Sequence, residues 1–173
     1  EYKRMARYIY ETVTVKTGNY LVFAPSYQVM EQVADRCVAY EDMECIRQES
    51  GMEEEEREAF LKKFEKERNH SLVGFCVMGG IFSEGIDLTE DRLIGALIIG
   101  TGLPQVCRER EIVKEYFDKK GMDGFAYAYQ YPGMNKVLQA AGRVIRTEAD
   151  RGMILLMDDR FATISYQRLF PRE

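Results

Sequence analysis

One histidine, four cysteines with no CxxC pair and no apolar run approaching the ~20 residues of a membrane span limit what this 173-residue chain can do. The cysteines, Cys37, Cys45, Cys76 and Cys107, stand 8, 31 and 31 positions apart, which fits neither a zinc ligand set nor a secreted disulfide framework. They read as reduced thiols, with Cys76 inside an apolar run and Cys37 on an apolar helical stripe, both used for packing. His70 has no carboxylate or cysteine at ligand spacing and reads as a surface loop residue, so no metal site is expected. No signal-peptide pattern opens the chain, and the expected compartment is cytoplasmic. A GxxxxGK[ST] phosphate cradle is also missing. The Lys-Thr pair of "VKTGN" (15–19) lacks the preceding glycines, and "GTGLPQ" (100–105) does not reach the last glycine of a dinucleotide fingerprint. A stand-alone small-molecule enzyme would need such a cradle, or a nucleophile and base at one crevice.

The formal charge of −5 argues superficially against a nucleic-acid partner. Residues 41–58, however, hold nine Asp or Glu against two Arg, leaving the remainder slightly basic. A net charge dominated by one segment leaves room for cations to gather in a cleft elsewhere. The four glutamates of "MEEEEREAFLKKFEKE" read as a solvated helix face, their acidic start and basic later turns matching the helix dipole, with Phe60 and Phe64 buried.

Hydrophobic period organises the rest. Met5, Tyr8, Ile9, Thr12 and Val13 predict a first helix, and Met30, Val33, Ala34, Cys37 and Val38 a second over 27–39. "YLVFA" (20–24), "LVGFCVM" (72–78), "LIGALIIG" (93–100) and "GMILLMDD" (152–159) are short continuous apolar runs that fit strands buried on both faces, with a further strand around "ECIRQ" (44–48). A helix over about 105–120 is expected to turn Val106, Val113 and Phe117 inward, followed by an irregular aromatic passage, "GFAYAYQYPG". Such alternation predicts an α/β fold: a doubly wound, mostly parallel sheet with helices on both faces, one domain over 1–173.

Ligands of such sheets sit beyond the carboxyl ends of the strands, where three stretches are expected to meet. "PSY" (25–27) brings a hydroxyl and backbone amides to a helix N-terminus, a geometry suited to phosphate. "GGIFSEGIDL" (79–88) carries three glycines, Ser83, Glu84 and Asp87. "QAAGRVIRTEADRG" (139–152) puts Gln139, Arg143 and Arg146 within about 60° on a helix, with Val137, Leu138, Ala141, Val144 and Ile145 opposite. Paired guanidinium groups on a presenting face suit a polyphosphate. Salt bridges to Glu148 or Asp150 are the competing role.

In this order and spacing the three stretches resemble motifs IV, V and VI of the second RecA-like motor domain of XPD/DinG-like superfamily 2 DNA helicases, a P-loop NTPase-type fold. "YPGMNKVLQAAGRVIR" is most similar to bacterial DinG-like members, which implies a nucleoid-associated protein. The resemblance implies ATP with Mg2+ held mainly by a first RecA-like domain that this chain does not contain, and single-stranded or forked DNA as partner, with no membrane. It admits an iron–sulfur cluster in the parent protein and none in this chain. Residue by residue, it makes Arg143 and Arg146 the arginine fingers, with Gln139 orienting groups beside them. Glu84, Gly85 and Asp87 would couple the nucleotide to the DNA groove. Ser26, Tyr27 and Ser83 would contact the DNA backbone, assisted by loop amides of Gly79 and Gly80. The isolated domain is expected to be inactive. A translocase that does not unwind and a non-catalytic RecA-like binding module are the alternatives.

Overall fold

The central strands read as almost unbroken apolar runs that need cover on both faces, and they receive it. The computed structural model describes residues 1–84, 93–145 and 150–171, and of Ser83 and Glu84 the backbone alone. Strands β1 (Asn19–Ala24), β2 (Met43–Arg47), β3 (Ser71–Val77), β4 (Gly95–Ile99) and β5 (Met153–Met157) form one parallel sheet in the order β2-β3-β1-β4-β5. Helices α1 (Tyr2–Val15) and α2 (Tyr27–Cys37) cover one face, where Tyr20, Val22, Ala24, Val73, Phe75, Leu97 and Ile99 point. The other face, with Leu21, Phe23, Leu72, Cys76, Ala96 and Ile98, is covered by α3 (Glu54–Lys62), α4 (Ile81–Glu84) and α6 (Tyr131–Ala141). This is the doubly wound arrangement expected from the sequence. Because β1 is flanked by β3 and β4, the crossovers diverge on either side of it, which opens a crevice at the carboxyl edge.

The predicted packing positions mostly hold. Ile9, Val13, Met30, Val33, Ala34 and Cys37 are fully buried, as are Phe60 and Phe64, with Phe60 stacked on Phe82 at 4.5 Å. Gly74 explains how α3 and the turn after it come so close: a Cβ there would lie 2.6 Å from the Phe64 ring, 2.9 Å from Leu21 and 3.2 Å from the Phe60 ring. Burial pushes the Cys37 thiol up to about 12 and Cys45 up to about 11, and raises Cys76 as well, so these cysteines are poor nucleophiles. His70 is exposed, 3.6 Å from Glu44. Among the described residues no helix is long and apolar enough to cross a membrane, and no cluster of His, Cys, Asp or Glu could hold a metal ion.

The segment after β4 departs from expectation. Helix α5 (Arg108–Lys119) buries none of its residues; Val106 is 77% and Val113 41% exposed. Its apolar stripe serves a local hairpin, with the Phe117 ring stacked on Tyr127 at 3.9 Å. The aromatic passage is not irregular: it is a π-helical turn, Ala126–Gln130, running directly into α6. Pro132 accounts for it. With no N–H, proline cannot donate to the carbonyl four residues earlier. The Tyr131 N–H bonds instead to Ala126 O, and Ala128 O accepts from Arg110 Nη1 at 2.9 Å. One proline thus sets the wider turn, and the carbonyl it leaves over ties down α5.

Candidate nucleic-acid interface

At the end of β1, Pro25 stops the strand and Ser26 caps α2, its Oγ accepting from Val29 N at 3.3 Å. Tyr27, the first residue of the helix, is 36% exposed. The end of β3 lies alongside: Met78 N donates to Ala24 O at 2.8 Å, and the chain then turns through Gly79, with φ +73°. Only glycine adopts this backbone without strain. Gly80 N donates to Val77 O at 3.1 Å, so that amide is spent on the turn. Ser26, Tyr27, Gly79 and Gly80 therefore share one edge, as expected.

Two residues not singled out in the sequence join them. Gln48, one residue past β2 and only 3% exposed, donates from Nε2 to the Tyr27 hydroxyl at 2.9 Å and accepts from Val77 N at 3.0 Å. Lys136 lays its stem across the turn, its Cε 3.1 Å from where a Cβ on Gly79 would stand. Its signal was present in the sequence: at three and seven residues before Gln139 and Arg143, it shares their helical stripe.

Helix α6 carries the predicted finger stripe, but not all of it to this edge. Its start is set by Gly133, where a Cβ would stand 2.7 Å from Thr101 O, just beyond β4. Met134, Val137 and Ala140 are buried, and Gln139 is exposed. The α-helix ends at Ala141, Gly142 N donates to Leu138 O, and Arg143 N and Val144 N tighten onto Ala140 O and Ala141 O. Val144 is buried against Gly152, beside Ile94 O. Those residues precede β5 and β4, so the half-buried Arg143 stands at the amino end of the sheet, the far end of α6 from Gly79. The three stretches do not converge on one edge, because a crossover helix must run back antiparallel to its strands. Ile145, expected on the packing face, is 41% exposed, since the helix has already ended. Arg146, Gly85 and Asp87 lie outside the described residues. Ser83 and Glu84 close α4, which packs against α6.

A separate crevice of about 860 Å³ opens at the carboxyl ends of β1, β4 and β5, walled by α1, Pro25, Gly100 and the Asp158–Arg160 pair. Among the described residues, none of those predicted to act on nucleotide or DNA lines it.

Comparison with known proteins places this geometry in a family. Residues 9–173 match the helicase C-terminal domain. The chain is 31% identical over 153 residues to the ATP-dependent DNA helicase DinG of Photobacterium profundum, covering 84% of this chain and 21% of that protein. It is 31% identical over 123 residues to a probable ATP-dependent helicase of Methanocaldococcus jannaschii, covering 66% and 18%. With the regulator of telomere elongation helicase 1 of Mus musculus it shares 29% identity over 169 residues, 87% and 14%. The chain thus spans about a fifth or less of these relatives. A solved XPD helicase superposes with a TM-score of 0.77 at 21% identity, over 97% of this chain and 30% of that one, which speaks for the fold. With the family matched over nearly its whole length, on a parallel sheet that superposes on that helicase's, the chain belongs to the helicase C-terminal domain family, as a RecA-like domain of the DinG/XPD-like superfamily 2 type.

Proposed function

We propose that this chain is the second motor domain of an ATP-dependent DNA helicase, with single-stranded or forked DNA at its carboxyl edge and a nucleotide at the far end of α6. The observation that carries this reading is the placement of α6, whose two ends meet different parts of the domain. Lys136 lies over the Gly79 turn, and Arg143 about 10 Å further along, seven residues at the helical rise. Ser26, Tyr27, Gly79 and Ser83 are assigned to the DNA backbone, contacts that hold a strand without reading its sequence, while Gly80, its amide spent on the turn, only shapes that edge.

The chain has no phosphate cradle, so the triphosphate and its Mg2+ fall to a first RecA-like domain of the same protein. ATP bound there would supply the phosphoryl group. From this chain Arg143 and Arg146 would direct fixed positive charge at the transferring phosphate, with Gln139 orienting groups beside them and Glu84, Gly85 and Asp87 linking that site to the DNA turn. Guanidinium suits this task because it stays charged and offers donors in a fixed fork.

The test is DNA-stimulated ATP hydrolysis by the full-length protein. Arg143→Ala and Arg146→Ala should each lower kcat by about 10³-fold while moving ATP affinity little, because a finger acts on charge that develops in the transition state. Equal losses in affinity and turnover would remove the finger assignment.

A further inference from the structure

The hydrogen bonds around Gln48 settle which way a proton points. A backbone N–H can only donate, so the Gln48 atom facing Val77 N at 3.0 Å must be the amide oxygen. The other arm is then the NH2 group, and it donates to the Tyr27 hydroxyl oxygen at 2.9 Å. With its oxygen engaged as an acceptor from within the fold, Tyr27 has its own O–H left to donate, and no acceptor among the described residues takes it. The amide cannot swing away. Gln48 N is held to Phe75 O at 2.8 Å, the side chain is 3% exposed, and a Cβ on Gly80 would stand 3.3 Å from its Nε2. Tyr27 is exposed at the rim of the same turn.

We propose that Gln48 is a positioning residue that orients the Tyr27 hydroxyl as a donor to a phosphodiester oxygen of bound single-stranded DNA. The proposal rests on the reading above that this edge carries DNA. Gln48 joins the ends of three strands: it extends from β2, caps the last amide of β3 and sets the phenol that follows β1. Fixing the donor beforehand spares the ordering cost that a freely rotating hydroxyl would incur on binding.

The test is the affinity of the full-length protein for a fluorescent oligo-dT, measured at pH 8 and pH 5 with wild type at each pH as control. The ionisable groups near position 48, Tyr27, Glu49 and Arg47 with its partners Glu31 and Asp35, are common to wild type and Gln48 variants. Tyr27→Phe should weaken binding about tenfold at both pH values, the loss of one hydrogen bond to a charged group. Gln48→Glu should match that loss at pH 8, where the carboxylate can only accept and draws the phenol proton inward. Burial at position 48 disfavours the charged form and raises the carboxyl, so that at pH 5 its neutral form restores the amide's pattern of one donor and one acceptor and binding should return to within about twofold of wild type. A merely structural role would not recover on protonation. Wild-type affinity in Tyr27→Phe, or a pH-independent loss in Gln48→Glu, overturns the proposal. If Glu at 48 prevents folding, Gln48→Met takes its place: its loss should vanish in a Tyr27→Phe background, and additive losses overturn the proposal. A wild-type protein that does not bind oligo-dT overturns the DNA reading itself.

Discussion

Lys136 shows how much a single position can contribute without any motif pointing to it. Its stem is packed over Gly79, which brings a cation to a turn otherwise made of backbone and hydroxyl groups, and no ion-pair partner holds it among the described residues. In the proposed function it meets a phosphate. Lys136→Ala should lower oligo-dT affinity about three- to tenfold and reduce the slope of log affinity against log salt by about one, a loss shared across sequences. An unchanged salt slope would return Lys136 to a packing role. The residues legible in the sequence were those whose type is unusual where it stands, such as the arginines of "GRVIR" or the glycines after β3. Gln48 and Lys136 are ordinary polar residues whose meaning depends on what the fold brings beside them.

Among the elements, those whose apolar period faces the sheet were readable. Strands β1, β3 and β4 bury the runs that the sequence marks, and helices α1, α2 and α3 bury most of theirs, although Tyr8 and Val38 are exposed and edge strand β5 is only half-buried. Period alone reports that a face is covered, not by what, and α5 exposes that limit: its stripe meets the neighbouring hairpin and leaves Ile112, Val113 and Tyr116 largely exposed. The end of α6 was misread for a related reason. A helical wheel that places Ile145 on the packing face assumes α geometry that ceases at Ala141. The bond from Arg110 to Ala128 O makes a prediction at this scale. Arg110→Ala would leave the part-buried carbonyl without its donor, and should cost about 1–2 kcal/mol by urea denaturation. A variant with wild-type stability would show that water replaces the guanidinium.

For the molecule as a whole, acid should be the more damaging direction of pH. The Arg160 side chain donates to both oxygens of Asp158, at 2.8 and 2.7 Å, and holds that carboxyl below the usual carboxylate range. Glu44 is also lowered: burial opposes this, but the bond from Arg68 at 2.9 Å, with His70, outweighs it. A depressed folded-state pKa contributes stability above the unfolded value and loses it as pH falls through the folded one. Urea midpoints should therefore drop below about pH 5, and Arg160→Ala should flatten that acid limb. An acid limb unchanged by the substitution would remove Asp158 from the account. The parallel sheet and its two covered faces were legible from composition and period. The separation of the Gly79 turn from Arg143 was not, because it follows from the direction in which a crossover helix must travel.

The widened turn ahead of Pro132 also limits how this chain can vary in length. A π turn holds one residue more than an α turn does. Deleting any one residue of Ala126–Gln130 would close it and rotate the preceding segment by about 100° about the helix axis. Tyr127 and Phe117 would part, and the α5 hairpin would detach, while α6 kept its seat on the sheet.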